Sequence, residues 1–204
     1  MKPLLVLAAF PVVLMGWASC SHSGTGHAAL PDPRAVDKSV PEYKNPFHPS
    51  TYAHFVARKD YRKTYDVYKD DTLLNRQPKK SRKIFVCLDE QRGQYLVDGL
   101  VAMDFPLSSG VKAYPTKTGD YAVISKKEDH TSNLYGKMYD AEGKCINYNA
   151  ESTDPIPEGG RFDGSPMPYW QRLTNAGLGL HVGKVRRHPV SHGCVRLPRN
   201  VAEI

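Results

Sequence analysis

The sequence predicts a mainly β fold, a β-sandwich with a few short helices. Three observations carry that expectation. Between Ile84 and Ser125, short apolar runs recur at close spacing with turn-forming residues between them, and such a pattern favours packed antiparallel sheets. Asp98-Gly99 separates two of these runs and is a tight hairpin signal. Hydrophobic residues make up 40% and aromatics 10% of the 204 residues, the composition of a chain that buries a core.

Taken in order, the chain opens with Met1-Lys2-Pro3 and an apolar run, Leu4–Met15. The run is too short to span a bilayer comfortably, so residues 1–19 read as a secretory signal. Trp17-Ala18-Ser19-Cys20 resembles a lipoprotein cleavage box, with Trp17 in place of a Leu-like residue, and makes Cys20 the expected lipidation site. An acyl chain there would hold the protein on a membrane without a spanning helix. The expected location is the periplasm or cell envelope, and the outer membrane where one exists, because Ser21 rather than Asp follows Cys20.

Residues 20–80 are expected to form a lipid-anchored tether. Ser21 to Pro49 is rich in Ser, Gly, Pro and His without apolar periodicity and reads as extended, with His22, His27 and His48 solvated. Within 51–75, Tyr61, Tyr65 and Tyr68 recur at helical spacing, which predicts a short helix that packs its tyrosines on the domain. Pro78–Lys83 reads as a basic hinge.

The folded domain is expected over 81–204. Strands are predicted at Ile84–Leu88, Gln94–Val97, Leu100–Leu107 and Tyr121–Ser125. Asp129–Arg161, rich in Gly, Asn, Asp and Glu and without periodicity, reads as a long excursion over a cleft. Its acids match no calcium-loop spacing and read as solvated.

The chemistry concentrates in Leu180–Leu197. Cys194 follows Gly193 directly, His192 lies two residues before it, and His181 lies thirteen before it. A thiol attacks as thiolate, and a neighbouring imidazole is the usual means of removing its proton. Gly193 permits a sharp turn, and the backbone N–H groups around it are natural donors to an oxyanion. The pattern therefore reads as an acyl-transfer site. Zinc held by His181, His188, His192 and Cys194 is an alternative, but the spacing fits no common structural zinc site. An inert core thiol is the other.

Ser191-His192-Gly193-Cys194-Val195-Arg196 resembles the signature of the L,D-transpeptidases, cysteine enzymes that remodel peptidoglycan. Pro115-Thr116-Lys117-Thr118-Gly119 resembles that family's turn with Lys117 where Pro is usual, and Ser165–Trp170 resembles the segment before its catalytic strand. The resemblance covers about Ser81 to Leu197. It implies Cys194 as nucleophile, His181 as base, His192 and Gly193 as turn and oxyanion residues, and Ser191 and Arg196 at the substrate. The spacer Val182–Val190 is shorter than the family's usual one. Domains of this family continue through a helix and a last strand, so 81–204 reads as C-terminally incomplete or as closing differently, with Asn200 capping a helix that begins near Pro198.

The implied substrate is a peptidoglycan stem tetrapeptide that loses D-alanine and passes its acyl group to an amine acceptor: a stem peptide, a protein or a D-amino acid. Trimming by water, as in an L,D-carboxypeptidase, uses the same residues. A non-catalytic wall-binding lipoprotein is the alternative from another class. No cofactor and no metal are implied. The net charge of +7 suits anionic surfaces, but no phosphate loop or aromatic-plus-basic signature accompanies it, so nucleic acid is not an expected partner. With Cys20 lipidated and Cys194 catalytic, Cys87 and Cys145 remain, either as a disulfide or as two buried thiols.

Overall fold

The computed structural model describes residues 12–15, 32–77 and 81–204. The rest of the signal segment, Cys20 with its expected lipidation, and Ser21–Pro31 lie outside the described residues. In chain order the elements are β1 (Val12–Met15), α1 (Tyr52–Ala57), β2 (Tyr68–Lys69), α2 (Asp71–Leu74), β3 (Arg82–Cys87), β4 (Arg92–Val97), β5 (Leu100–Pro106) and β6 (Gly119–Ala122). They continue as β7 (Ser125–Lys127), β8 (Thr131–Tyr139), β9 (Cys145–Glu151), β10 (Arg161–Pro166), β11 (Trp170–Arg172), β12 (Gly179–Val182), β13 (Val195–Leu197) and α3 (Arg199–Ala202).

The strands form three sheets: six strands in the order β2-β5-β4-β3-β1-β6, four in the order β13-β12-β11-β7, and three in the order β10-β8-β9. Apolar side chains of the first two sheets meet in one core that includes Ile84, Val86, Met103, Phe105, Leu180, Val195 and Leu197. This is the mainly β sandwich the sequence predicts. The β4–β5 hairpin turns at Asp98 (φ 52) and Gly99 (φ 84), and positive φ at both central residues is what a two-residue hairpin turn needs. No helix among the described residues is long and apolar enough to cross a membrane.

Five expectations meet a different structure. The single short helix over 51–75 is replaced by α1 and α2, separated by a turn and β2. Tyr61 packs with Phe55 and Val56 in a second small core against which Tyr52 and Tyr68 lie, while Tyr65 is exposed. The stretch read as an extended tether is tied down where it is described. Lys38 Nζ donates to Val56 O (2.6 Å), Tyr43 OH to Ala57 O (2.8 Å) and Asn45 Nδ2 to His54 O (2.8 Å). These bonds satisfy carbonyls that the short α1 cannot satisfy itself.

The excursion, Asp129–Arg161, is not irregular but holds β8 and β9 and ends where β10 begins. Its sheet is closed by the backbone ladder, with apolar residues such as Ile146 and Tyr148 left exposed, so it carries no alternating pattern for a sequence reading to find. Cys87 is disulfide-bonded and Cys145 keeps a free thiol, so neither the Cys87–Cys145 bridge nor a pair of free thiols is formed. Finally, α3 is capped at Pro198 without a side-chain bond, and Asn200 is its second residue rather than its cap. The proline has the extended ψ of 148° that suits a position just outside a helix.

Candidate active site

β12 and β13 pair in parallel with Leu180 opposite Val195 and His181 opposite Arg196. This register sets His181 and Arg196 on one face of the sheet and places Cys194 at the mouth of β13. His181, Cys194, Ser191, His192 and Arg196 all line one cavity of about 280 Å³, with Lys184 at its side and Ser132, Tyr135 and Ser165–Met167 opposite.

His181 is buried, and its Nδ1 lies 2.8 Å from the Val182 carbonyl. A carbonyl only accepts, so Nδ1 carries the proton and Nε2 is left bare. Burial pushes the imidazole down to about 4, and the charges of Arg196 and His130 act in the same direction, while the Val182 bond opposes them. The Cys194 thiol is pushed up by burial, against the pull of the Gly179 N–H and Arg196. Its Sγ–H donates to Gly177 O at 3.4 Å. At neutral pH the resting pair is therefore thiol and neutral imidazole, not the thiolate that the pattern first brings to mind.

The turn before Cys194 is braced from several directions. Ser191 Oγ donates to the Cys194 carbonyl and accepts from Gly193 N–H (3.2 Å). Gly193 has φ +112, a conformation that favours glycine. Thr116 Oγ1 accepts from Gly110 N–H (2.8 Å) and donates to Gly193 O (2.6 Å). A Cβ on Gly110 would lie 2.1 Å from Tyr114 O and 2.8 Å from Gly193 Cα, so two glycine backbones meet where no side chain fits. The N–H groups of Val190 and Ser191 both donate to Ser109 O (2.8 and 3.1 Å).

The predicted residues thus come together with shifted duties. Ser191 is buried and its hydroxyl is spent on the turn, which fits a brace better than a substrate contact. His192 stacks on Tyr135 (4.3 Å, 17° between planes) and faces Tyr114 (4.7 Å). Arg196 lies along Gly183, where a Cβ would come within 2.9 Å of its stem. Among the described residues it has no ion-pair partner. His188 is an exposed loop residue. No group of three or more His, Cys, Asp or Glu among the described residues is placed to hold a metal ion.

Sequence reasoning missed Tyr135, Trp170 and His130 as neighbours of the site. Trp170 is buried with its ring 5.0 Å from His130 and 6.2 Å from His181, and Gly179 makes room for it, since a Cβ there would lie 2.5 Å from the ring. The available signal was the placement of Trp170 and Gly179 just ahead of His181.

A carbonyl-anchored histidine and a cysteine in one cavity of a β-sandwich define a candidate cysteine acyl-transfer site. Residues 81–204, more than half of the chain, match the YkuD family, the L,D-transpeptidase catalytic domain. The chain belongs to that family. No curated protein matches it.

Among solved structures the chain is similar to an L,D-transpeptidase from Mycobacterium smegmatis, at 21% identity over 57% of this chain and 48% of that one, with a TM-score of 0.41. It is also similar to one from Stackebrandtia nassauensis, at 22% identity over 74% and 58%, TM-score 0.43. For the catalytic domain of the E. faecium L,D-transpeptidase the figures are 28%, 60% and 85%, TM-score 0.42. The chain spans about half the length of the M. smegmatis protein.

Proposed function

We propose that the protein is an L,D-transpeptidase whose acyl-enzyme forms on Cys194. The observation that carries this reading is the tautomer of His181. Its Nδ1–H is held by Val182 O, so the bare Nε2 is the nitrogen left to take a proton in the cavity that Cys194 lines.

In the proposed reaction the Cys194 proton passes to His181 Nε2 as sulfur attacks the carbonyl carbon of the amide preceding the terminal D-alanine of a stem tetrapeptide. Gly193 N–H is turned to Ser191 Oγ, so the oxyanion falls to the N–H groups of His192 and Cys194. An imidazole whose pKa is only about 4 is a ready proton donor once protonated, and it delivers its proton to the departing amine as the C–N bond breaks. His181 then removes a proton from the acceptor amine, which displaces sulfur from the thioester. Arg196, cationic and without an acidic partner, is suited to a substrate carboxylate. Export and an envelope location complete the proposal, supported by the apolar start of the chain.

The test is intact-mass spectrometry of the protein with a disaccharide tetrapeptide, beside Cys194→Ala and His181→Ala. A thioester adduct with D-alanine release in the unsubstituted protein alone is the expected result. Added amines then separate transfer from hydrolysis. No adduct from folded protein would overturn the enzyme reading in favour of a wall-binding protein.

A further inference from the structure

Residues 51–69 lie outside the family match at 81–204, yet besides the β2–β5 ladder and a bond from Lys69 Nζ to Asn200 O (2.7 Å) they are joined to that domain at two further places. The first is Asp104, fully buried in β5. It accepts from Arg92 Nε (2.7 Å), Tyr52 OH (2.7 Å) and Tyr61 OH (2.8 Å). Burial and the charge of Asp104 push both phenols up, Tyr61 to about 12, so both stay protonated as donors. A buried ion pair is satisfied only when its remaining lone pairs find partners, and here residues 52 and 61 supply them.

The second joint reaches the active site. Arg92 also donates to Thr64 O (3.2 Å) and Asp66 O (3.4 Å). From the other side, Arg187 of the spacer donates to Arg62 O and lies 6.0 Å over the Tyr65 ring, whose hydroxyl donates to Arg186 O (3.2 Å). Residues 62–66 are thus gripped between a buried arginine of the sheet and an arginine of the loop that links His181 to Cys194.

Arg187 has φ 55, a conformation unfavourable for a non-glycine residue that persists only where its surroundings hold it. Three residues on, Val190 N–H makes its bond to Ser109 O, and the Ser191 brace of the catalytic turn follows.

We propose that residues 62–66 form a clasp that positions the spacer 184–190, and through it the Ser191–Cys194 turn. A segment outside the matched domain is then a working part of the site. The catalytic half of this inference rests on Cys194 being the acylated nucleophile; the mechanical half does not.

The test uses the full chain with Tyr65→Phe, which removes only the hydroxyl, and Arg187→Ala and Arg187→Gly. Glycine relieves the positive φ but still loses the guanidinium. The readouts are amide hydrogen exchange at Val190 and Ser191, with Phe105 of the core as internal control, and the acylation rate of Cys194 at saturating tetrapeptide.

The expected result is exchange about tenfold faster at Val190 and Ser191 in both Arg187 variants, and less so in Tyr65→Phe. Exchange at Phe105 should stay unchanged and acylation should slow several-fold. Unchanged exchange at Val190 and Ser191 would overturn the clasp. Faster exchange with unchanged acylation would overturn its role at the site. If the unsubstituted protein forms no acyl-enzyme, the transpeptidase reading fails by itself, and exchange alone decides the clasp.

Discussion

The four-stranded sheet and the three-stranded sheet both line the cavity, and they differ in how far their side chains are buried. Around β12 and β13 close backbone approach comes with buried side chains. Gly110, Gly179 and Gly183 each sit where a Cβ would come within 3 Å of another group, and Leu180 and Val195 are wholly buried. β8, β9 and β10 keep together through the backbone ladder, while Leu134, Ile146 and Tyr148 face solvent. Backbones approach closely in both, since a Cβ on Gly136 would lie 2.1 Å from Asp163 O and one on Gly164 2.0 Å from Ser132 O. What differs is the exposed outer face of the second sheet, which reaches the cavity through Tyr135 and has latitude there to vary.

The sharpest way to break this contrast is at the reacting atoms. Cys194→Ala and His181→Ala are expected to lower acylation by roughly 10⁴-fold or more, read by adduct formation, with the fold intact by circular dichroism. Gly110→Ala comes next. Its methyl would meet Tyr114 O at 2.1 Å, and a loss of about 3–5 kcal/mol in denaturant unfolding is expected.

The third effect is a pH dependence. His181 has a folded pKa of about 4 against about 6.5 unfolded. Between those values the unfolded chain binds a proton that the folded protein refuses, so stability falls as pH drops from about 6.5 to 4 and levels off below. The full contribution is on the order of 3 kcal/mol. Unfolding curves across that window should lose most of this slope in His181→Gln. Acylation should show no acidic limb until the pH nears 4.

In the three-stranded sheet the effects are smaller. Tyr135→Ala should slow acylation about tenfold by removing the His192 stack, whereas Tyr135→Phe, which keeps the ring, should restore most of the rate. Tyr148→Ser, at a position 72% exposed, should shift stability by less than about 0.5 kcal/mol. A large loss there would show that the outer face of this sheet is covered in the working protein.

Much of the six-stranded sheet, and the reactive pair of the first region, were legible in the sequence because their signals are local. The spacing of turn residues announces β3 to β6, and Asp98-Gly99 writes its own hairpin. His181 and Cys194 are set in relation by thirteen residues of chain, although which strands would carry them, and in what register, was not written there. The second region was illegible because the face it buries is not apolar: β8 buries Ser132, Gly136 and Met138 on one face while Leu134 on that face is exposed, so no alternation of apolar and polar residues shows. The clasp was hidden for another reason. Its bonds join residues such as Tyr65 and Arg186 that lie far apart in the chain, and tyrosines at helical spacing pointed to a helix where the chain forms a turn.

The protonated rest state of Cys194 bears on how long such a protein lasts. Peroxide and other oxidants consume thiolates, and a half-buried thiol whose pKa is raised offers few of them. If Cys194 is the nucleophile of an exported protein, as proposed, a thiol that ionises only as substrate arrives resists drifting to sulfenic acid. The burial that delays its ionisation thus doubles as corrosion resistance.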